Sequence, residues 1–264
     1  MSFADRYGPW AVVAGASEGL GASLADQLGA RGLNLVLVAR NEPLLRAVAA
    51  GVAARHGVEV RPLALDLTDT GAAARIAAEG VHIGLVVYNA GAANRTTTFL
   101  EDSVEDSLAQ IKLACAGPVA LARQFAPAMK ERGQGGIVLV GSLACLVGAA
   151  HLAVYSAVKM FNVNLAEGLW AELRPHGVDV CCTPLGTVRT PALERMGVVF
   201  DPARDMMPDD VAREIIDNIG NGPTHVVGAA NRASAARIWP VDRRAAVEMM
   251  SANTRTFATQ RAGH

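Results

Sequence analysis

The chain has 264 residues, 51% of them apolar and 19% charged, with a net charge of −1 at neutral pH. That supplies a sizeable core, argues against wholesale disorder, and leaves no basic patch for a nucleic acid or an anionic membrane. No apolar run reaches the roughly 20 residues of a membrane span, and the N-terminus lacks the pattern of a signal peptide. Cys115, Cys145, Cys181 and Cys182 show no metal-ligand spacing. They read as buried reduced thiols, so no metal and a cytoplasmic location are expected.

Short β-branched runs alternate with longer Ala-rich segments. Strands are predicted over 10–14, 33–39, 58–65, 83–88, 136–140, 178–182 and 225–227, and helices over 20–31, 42–56, 70–79, 104–132, 152–175 and 209–220. Most of the strands are continuously apolar, as expected where helices cover both faces of a parallel sheet. Right-handed crossovers then give a doubly wound, mostly parallel α/β fold. With no repeat, linker or break in composition, residues 1–264 are expected to form a single domain.

The first strand runs into Ala14-Gly15-Ala16-Ser17-Glu18-Gly19-Leu20-Gly21 and then a helix. Gly15 permits a sharp exit from the strand, Gly19 a close backbone approach to phosphate, and Gly21 tight helix–sheet packing. The helix N-terminus offers free N–H groups to a pyrophosphate. Glycines at this spacing are weak evidence alone; their place between first strand and first helix strengthens the reading.

The second strand ends in Ala39-Arg40. Ala39 supplies no carboxylate for a ribose 2′-hydroxyl, and Arg40 offers a fork for a 2′-phosphate, so NADP(H) is preferred over NAD(H). Two observations pull the other way: Arg40 also suits a solvated helix entry, and Glu18 places negative charge where a 2′-phosphate is disfavoured.

Further along, the third strand leads to Asp66-Leu67, the fourth to Asn89-Ala90-Gly91, and the fifth to Ser142. The helix that follows carries Tyr155 and Lys159 at i, i+4, on one face. A phenol is a poor base at neutral pH. A neighbouring ammonium, with an oxidised nicotinamide cation, would stabilise the phenolate and lower its pKa. The same hydroxyl can protonate a carbonyl oxygen during hydride delivery, with Ser142 as a hydrogen-bond donor. After the sixth strand come Gly186-Thr187-Val188-Arg189-Thr190 and a loop to Pro208 that breaks the rhythm. Loops of this length are often lids or binding segments, and its apolar residues point to an apolar substrate.

Taken in order, Gly15/Gly19/Gly21, Asp66-Leu67, Asn89-Ala90-Gly91, Ser142, Tyr155/Lys159 and the 186–190 segment resemble the short-chain dehydrogenase/reductase family from about residue 9 to residue 190. The resemblance implies a Rossmann-type NADP(H)-dependent oxidoreductase that interconverts a carbonyl and a secondary alcohol. Ser142, Tyr155 and Lys159 would be catalytic. Asp66 and Leu67 would flank adenine, Asn89, Ala90 and Gly91 would lie along the cofactor, and Lys159 would hold the nicotinamide ribose. Val188 and Thr190 would meet the carboxamide end and Gly186 would also contact the cofactor, while Ser17, Glu18 and Leu20 belong to the pyrophosphate turn.

The family usually has Thr at Ala14, Asn at Tyr88, Pro at Leu185 and, as a fourth catalytic residue, Asn at Ala114. Ala114 keeps the main-chain carbonyl of that position and loses the amide, so the proton relay is altered. It is the sole support for an alternative, a cofactor-binding regulatory protein with little turnover. An epimerase or dehydratase is disfavoured because the C-terminal region is short.

His151, four residues before Tyr155, is read as sharing its helical side and as either substrate-facing or a plain helix-entry residue. Met196, Met206 and Met207 would line an apolar pocket or anchor the loop. The two long helices carry surplus apolar surface, including Leu121, Phe125, Phe161 and Trp170, so a homodimer or homotetramer is expected.

Overall fold

The computed structural model describes residues 2–69, 71–91, 98–239 and 241–251. After a short capped helix, α1 (Phe3–Tyr7), the chain alternates β1 (Trp10–Ala14), α2 (Gly19–Ala30), β2 (Asn34–Ala39), α3 (Glu42–His56), β3 (Val60–Ala64), α4 (Ala72–Ala77) and β4 (Ile83–Tyr88). It continues through α5 (Val104–Ile111), a π-helical turn Lys112–Ala116, α6 (Gly117–Arg132), β5 (Gly135–Val140), α7 (Ala153–Leu173) and β6 (Val178–Thr183). Last come α8 (Pro191–Arg195), α9 (Pro208–Asp217), α10 (Ala229–Ile238) and a helical stretch over 243–251.

The six strands form one parallel sheet in the order β3-β2-β1-β4-β5-β6. Successive side chains of a strand point to opposite faces. Val12 and Ala14 of β1 therefore join a core under α4, α6 and α7, while Ala11 and Val13 join a second core under α2, α3 and α9. Burial on both faces accounts for the unbroken apolar runs. The edge strand β3 tolerates Pro62, which has no N–H for a ladder. Strand order reverses between β1 and β4, and a crevice opens beyond the carboxyl ends there, where such sheets bind ligands.

Three sequence expectations need correction. The segment 225–227 is not a strand: His225 and Val227 donate backbone hydrogen bonds to the Cys182 and Pro184 carbonyls, but only an isolated bridge, Cys182 to Thr224, forms. Gly222-Pro223 and Gly228 hem the segment in too closely for a ladder. The expected helix over 104–132 is interrupted by the π turn. The helix expected over 70–79 shrinks to α4, with Thr70 outside the described residues. The helices α1, α8 and α10 were not anticipated. Among the described residues, no helix is long and apolar enough to cross a membrane.

Candidate active site

A cleft of about 1160 Å³ runs along the carboxyl ends of the strands. Its lining contains Gly15, Ser17, Glu18, Gly19, Leu20, Arg40, Asp66, Leu67, Asn89, Ala90, Gly91, Ser142, Tyr155, Lys159, Gly186, Val188 and Thr190. Every residue assigned from sequence to catalysis or to the cofactor therefore lines this cleft, except Gly21.

Gly21 has a structural reason: a Cβ there would stand 1.9 Å from the Gly15 carbonyl oxygen. Gly15 itself has φ +84, and its own Cβ would lie 2.8 Å from the Ala90 nitrogen. The turn thus presses against β4, and the Asn89 amide donates to the Gly15 carbonyl at 2.8 Å. The result is a tightly packed glycine-rich backbone turn at the N-terminus of α2, whose first N–H groups are suited to an anion.

After β3, Asp66 accepts from the Thr68 backbone N–H and hydroxyl, both at 2.9 Å. The Thr68 hydrogen bonds, with a smaller contribution from the nearby Arg40 charge, hold its carboxyl below the usual range. Arg40 is exposed on the rim.

The chemical groups gather around α7. Lys159 is 3% exposed, and its ammonium donates to the Val140 carbonyl at 3.0 Å. Burial brings its pKa down to about 8. Its Nζ lies 5.6 Å from the centre of the Tyr155 ring. Burial raises the Tyr155 phenol, and a hydrogen bond with Ser142 opposes that rise. In the protein alone the phenol thus stands above its ordinary value, with Ser142 as the opposing influence. Ser142 also accepts from the Ala144 N–H at 3.2 Å, which fixes its hydroxyl at the start of a short 3₁₀ turn.

Ala114 is buried within the π turn. A Cβ on Gly91 would lie 3.5 Å from the Ala114 Cβ and 4.0 Å from Lys159 Nζ, so Ala114 and Lys159 flank the same glycine. His151 precedes α7 and does not share its face, contrary to the sequence reading. Its φ is +64, and it lines a smaller adjoining cavity of about 320 Å³ together with Tyr155, Gln110 and Phe99. Of the three loop methionines, Met206 packs inward beside the core while Met196 and Met207 are exposed.

The connection after β6 is tied at its base. Met206 N–H donates to the Thr187 carbonyl at 3.0 Å and Arg189 N–H to the Met206 carbonyl at 2.9 Å. Between these ties, Thr190 caps α8, and Ala192, Leu193 and Arg204 reach the cleft. Sequence reading missed Leu193, Arg204, Leu113 and Asn231 as lining residues. Asn231 enters from α10, its amide anchored on the Val227 carbonyl at 2.8 Å, and no local motif marked it.

A doubly wound sheet with a glycine-rich turn after β1 and a Ser–Tyr–Lys group beyond β5 defines a class of nucleotide-binding α/β proteins. Residues 9–197 match the short chain dehydrogenase family, and the chain belongs to it. It is 35% identical over 182 residues to a very-long-chain 3-oxoacyl-CoA reductase from Podospora anserina, covering 66% of this chain and 53% of that protein. The chain spans about half the length of the reductases of that name which it matches. A 7beta-hydroxysteroid dehydrogenase from Clostridium sardiniense is 28% identical over 253 residues, covering 92% of this chain and 94% of the relative. Among solved structures, a short-chain dehydrogenase from Sphingobium yanoikuyae in complex with NADPH superposes with a TM-score of 0.77 at 29% identity, covering 87% and 92% of the two chains.

Proposed function

We propose that the protein is an NADP(H)-dependent oxidoreductase that interconverts a carbonyl and a secondary alcohol on an apolar small molecule. The observation that carries this is the convergence of Ser142, Tyr155 and Lys159 on one cleft that also holds the glycine-rich turn. A bound nicotinamide supplies or accepts the hydride. Tyr155 gives its proton to the carbonyl oxygen in reduction and recovers it in oxidation, with Ser142 hydrogen-bonded to the same centre. Lys159 holds the ribose and sets the field around the phenol. Leu143, Leu185, Val188 and Leu193 give the substrate end an apolar wall, in keeping with the oxoacyl-CoA and steroid names of the relatives. The 190–208 loop serves as a substrate lid.

The Arg40 side chain at the rim and the missing carboxylate at Ala39 support the phosphorylated cofactor. The solved relative bound to NADPH agrees with that choice.

The test is a panel of apolar ketones and alcohols followed at the nicotinamide absorbance. Turnover is expected in the parent, with Tyr155→Phe reduced by roughly 10²–10⁴-fold and cofactor affinity retained. Full turnover in Tyr155→Phe removes the mechanism. Calorimetry with NADPH and NADH should show tighter NADPH binding that narrows in Arg40→Ala; equal affinities in the parent refute the cofactor choice.

A further inference from the structure

Glu18 is the N-cap residue of α2, yet its side chain makes no capping hydrogen bond. The carboxylate turns instead toward the 190–208 loop, where the Arg195 fork takes both oxygens, Nη1 to Oε2 at 3.0 Å and Nη2 to Oε1 at 2.5 Å. A second contact lies one residue along the turn. A Cβ on Gly19 would stand 2.9 Å from the Thr190 methyl, so the capping residue of α8 sits directly on the glycine-rich backbone. Loop and cradle therefore meet at two adjoining points.

The charge placement is otherwise unfavourable. The first N–H groups of α2 favour an anion, while Glu18, on the wall of the same cleft, repels one. Arg195 is 62% and Glu18 27% exposed at the side chain. A pair so exposed adds little to folding stability. Its effect belongs to the field that a bound phosphate meets, since a carboxylate paired to a guanidinium presents far less negative charge than a bare one.

The geometry points to Arg195 as a positioning residue for the anionic cofactor: it cancels the Glu18 carboxylate beside the pyrophosphate cradle, so tight dinucleotide binding requires the loop to be seated. This rests on the dinucleotide reading of the cleft. Seating α8 and completing the anion site are then one event, which couples the substrate wall carried by Leu193 to cofactor occupancy.

Four variants separate this role from a direct contact or a general loosening of the loop. NADPH dissociation constants are measured at low salt for the parent, Arg195→Ala, Arg195→Lys, Glu18→Gln and the double variant Glu18→Gln/Arg195→Ala. Arg195→Ala is expected to weaken binding about three- to tenfold, as one uncompensated charge at a partly exposed site would. Arg195→Lys recovers most of the loss, and added salt shrinks it. In the Glu18→Gln background, removing Arg195 costs nothing further. An equal loss in both backgrounds, or none in either, overturns the inference, because a damaged loop or a direct phosphate contact would not be rescued by neutralising Glu18. A parent that binds no NADPH overturns the dinucleotide reading, and this inference with it.

Discussion

Lys159 combines near-complete burial with a hydrogen bond to the Val140 carbonyl, and desolvation brings its pKa down to about 8. The sign follows directly. The ammonium is intact below that pH and is lost as pH rises through it, and an anionic dinucleotide binds the charged form better. Burial raises the Cys145 thiol to about 12 and the Cys182 thiol well above its ordinary value, so both stay neutral over this range, and it also raises Cys115 and Tyr155. NADPH affinity should thus be level near pH 6 and fall above about pH 8, approaching tenfold per unit. Lys159→Met should bind weakly at every pH. Calorimetry across this range checks it, and a parent affinity independent of pH contradicts it. Tyr155, Lys159 and the glycines were legible in the sequence because each must be that residue type at that spacing. Leu193, Arg204 and Asn231 were not, since only tertiary folding carries them to the cleft and many residue types would serve there.

Among the elements, the break between α5 and α6 was the least legible, because the apolar pattern runs on without a Gly or Pro until Gly117-Pro118. The fifth-residue ring of a π turn displaces carbonyls from their usual partners, and here the Tyr88 hydroxyl donates to the Leu113 carbonyl at 2.5 Å. Tyr88, buried at the end of β4, stands where the family usually has Asn. A Cβ on Gly117 would come 2.1 Å from its hydroxyl, so glycine there and tyrosine on β4 form a matched pair. Deleting that hydroxyl leaves a carbonyl without its donor in the wall that carries Leu113 and Ala114. Tyr88→Phe should lower unfolding free energy by about 1–3 kcal/mol, read as an earlier urea midpoint with an unchanged slope. An unshifted midpoint would show that the π turn holds without it. The missing seventh strand has a related lesson: the three residues His225-Val226-Val227 beside β6 suffice for two backbone hydrogen bonds but not for a ladder.

At the scale of the whole molecule, the doubly wound sheet was readable because strands buried on both faces must be apolar throughout, and the connecting helices are long enough to cross over. Which helix faces remain outside was not readable. Leu121, Phe125 and Trp170, assigned to surplus surface from sequence, are buried in the core, and only Phe161 of that group is substantially exposed. On these helices the other exposed large apolar side chains are instead Val104, Leu108 and Ile111, at i, i+4 and i+7 on α5, with Val119 on α6. The helix α5 packs beside α7, so the stripe and Phe161 lie on neighbouring helices. A stripe at this spacing is one helical face, and an exposed apolar face of this kind is suited to a two-fold partner of the same chain. Homodimer or homotetramer formation is therefore expected, with the α5 face at its centre. Sedimentation of the parent at micromolar concentration should show an oligomer, and Leu108→Asp with Phe161→Asp should shift it to monomer by burying two carboxylates without partners. Retained melting temperature of the dissociated variant would place the change at the interface and not in the fold. A parent that sediments only as monomer refutes the assembly, and an oligomer untouched by both aspartates moves it to another face.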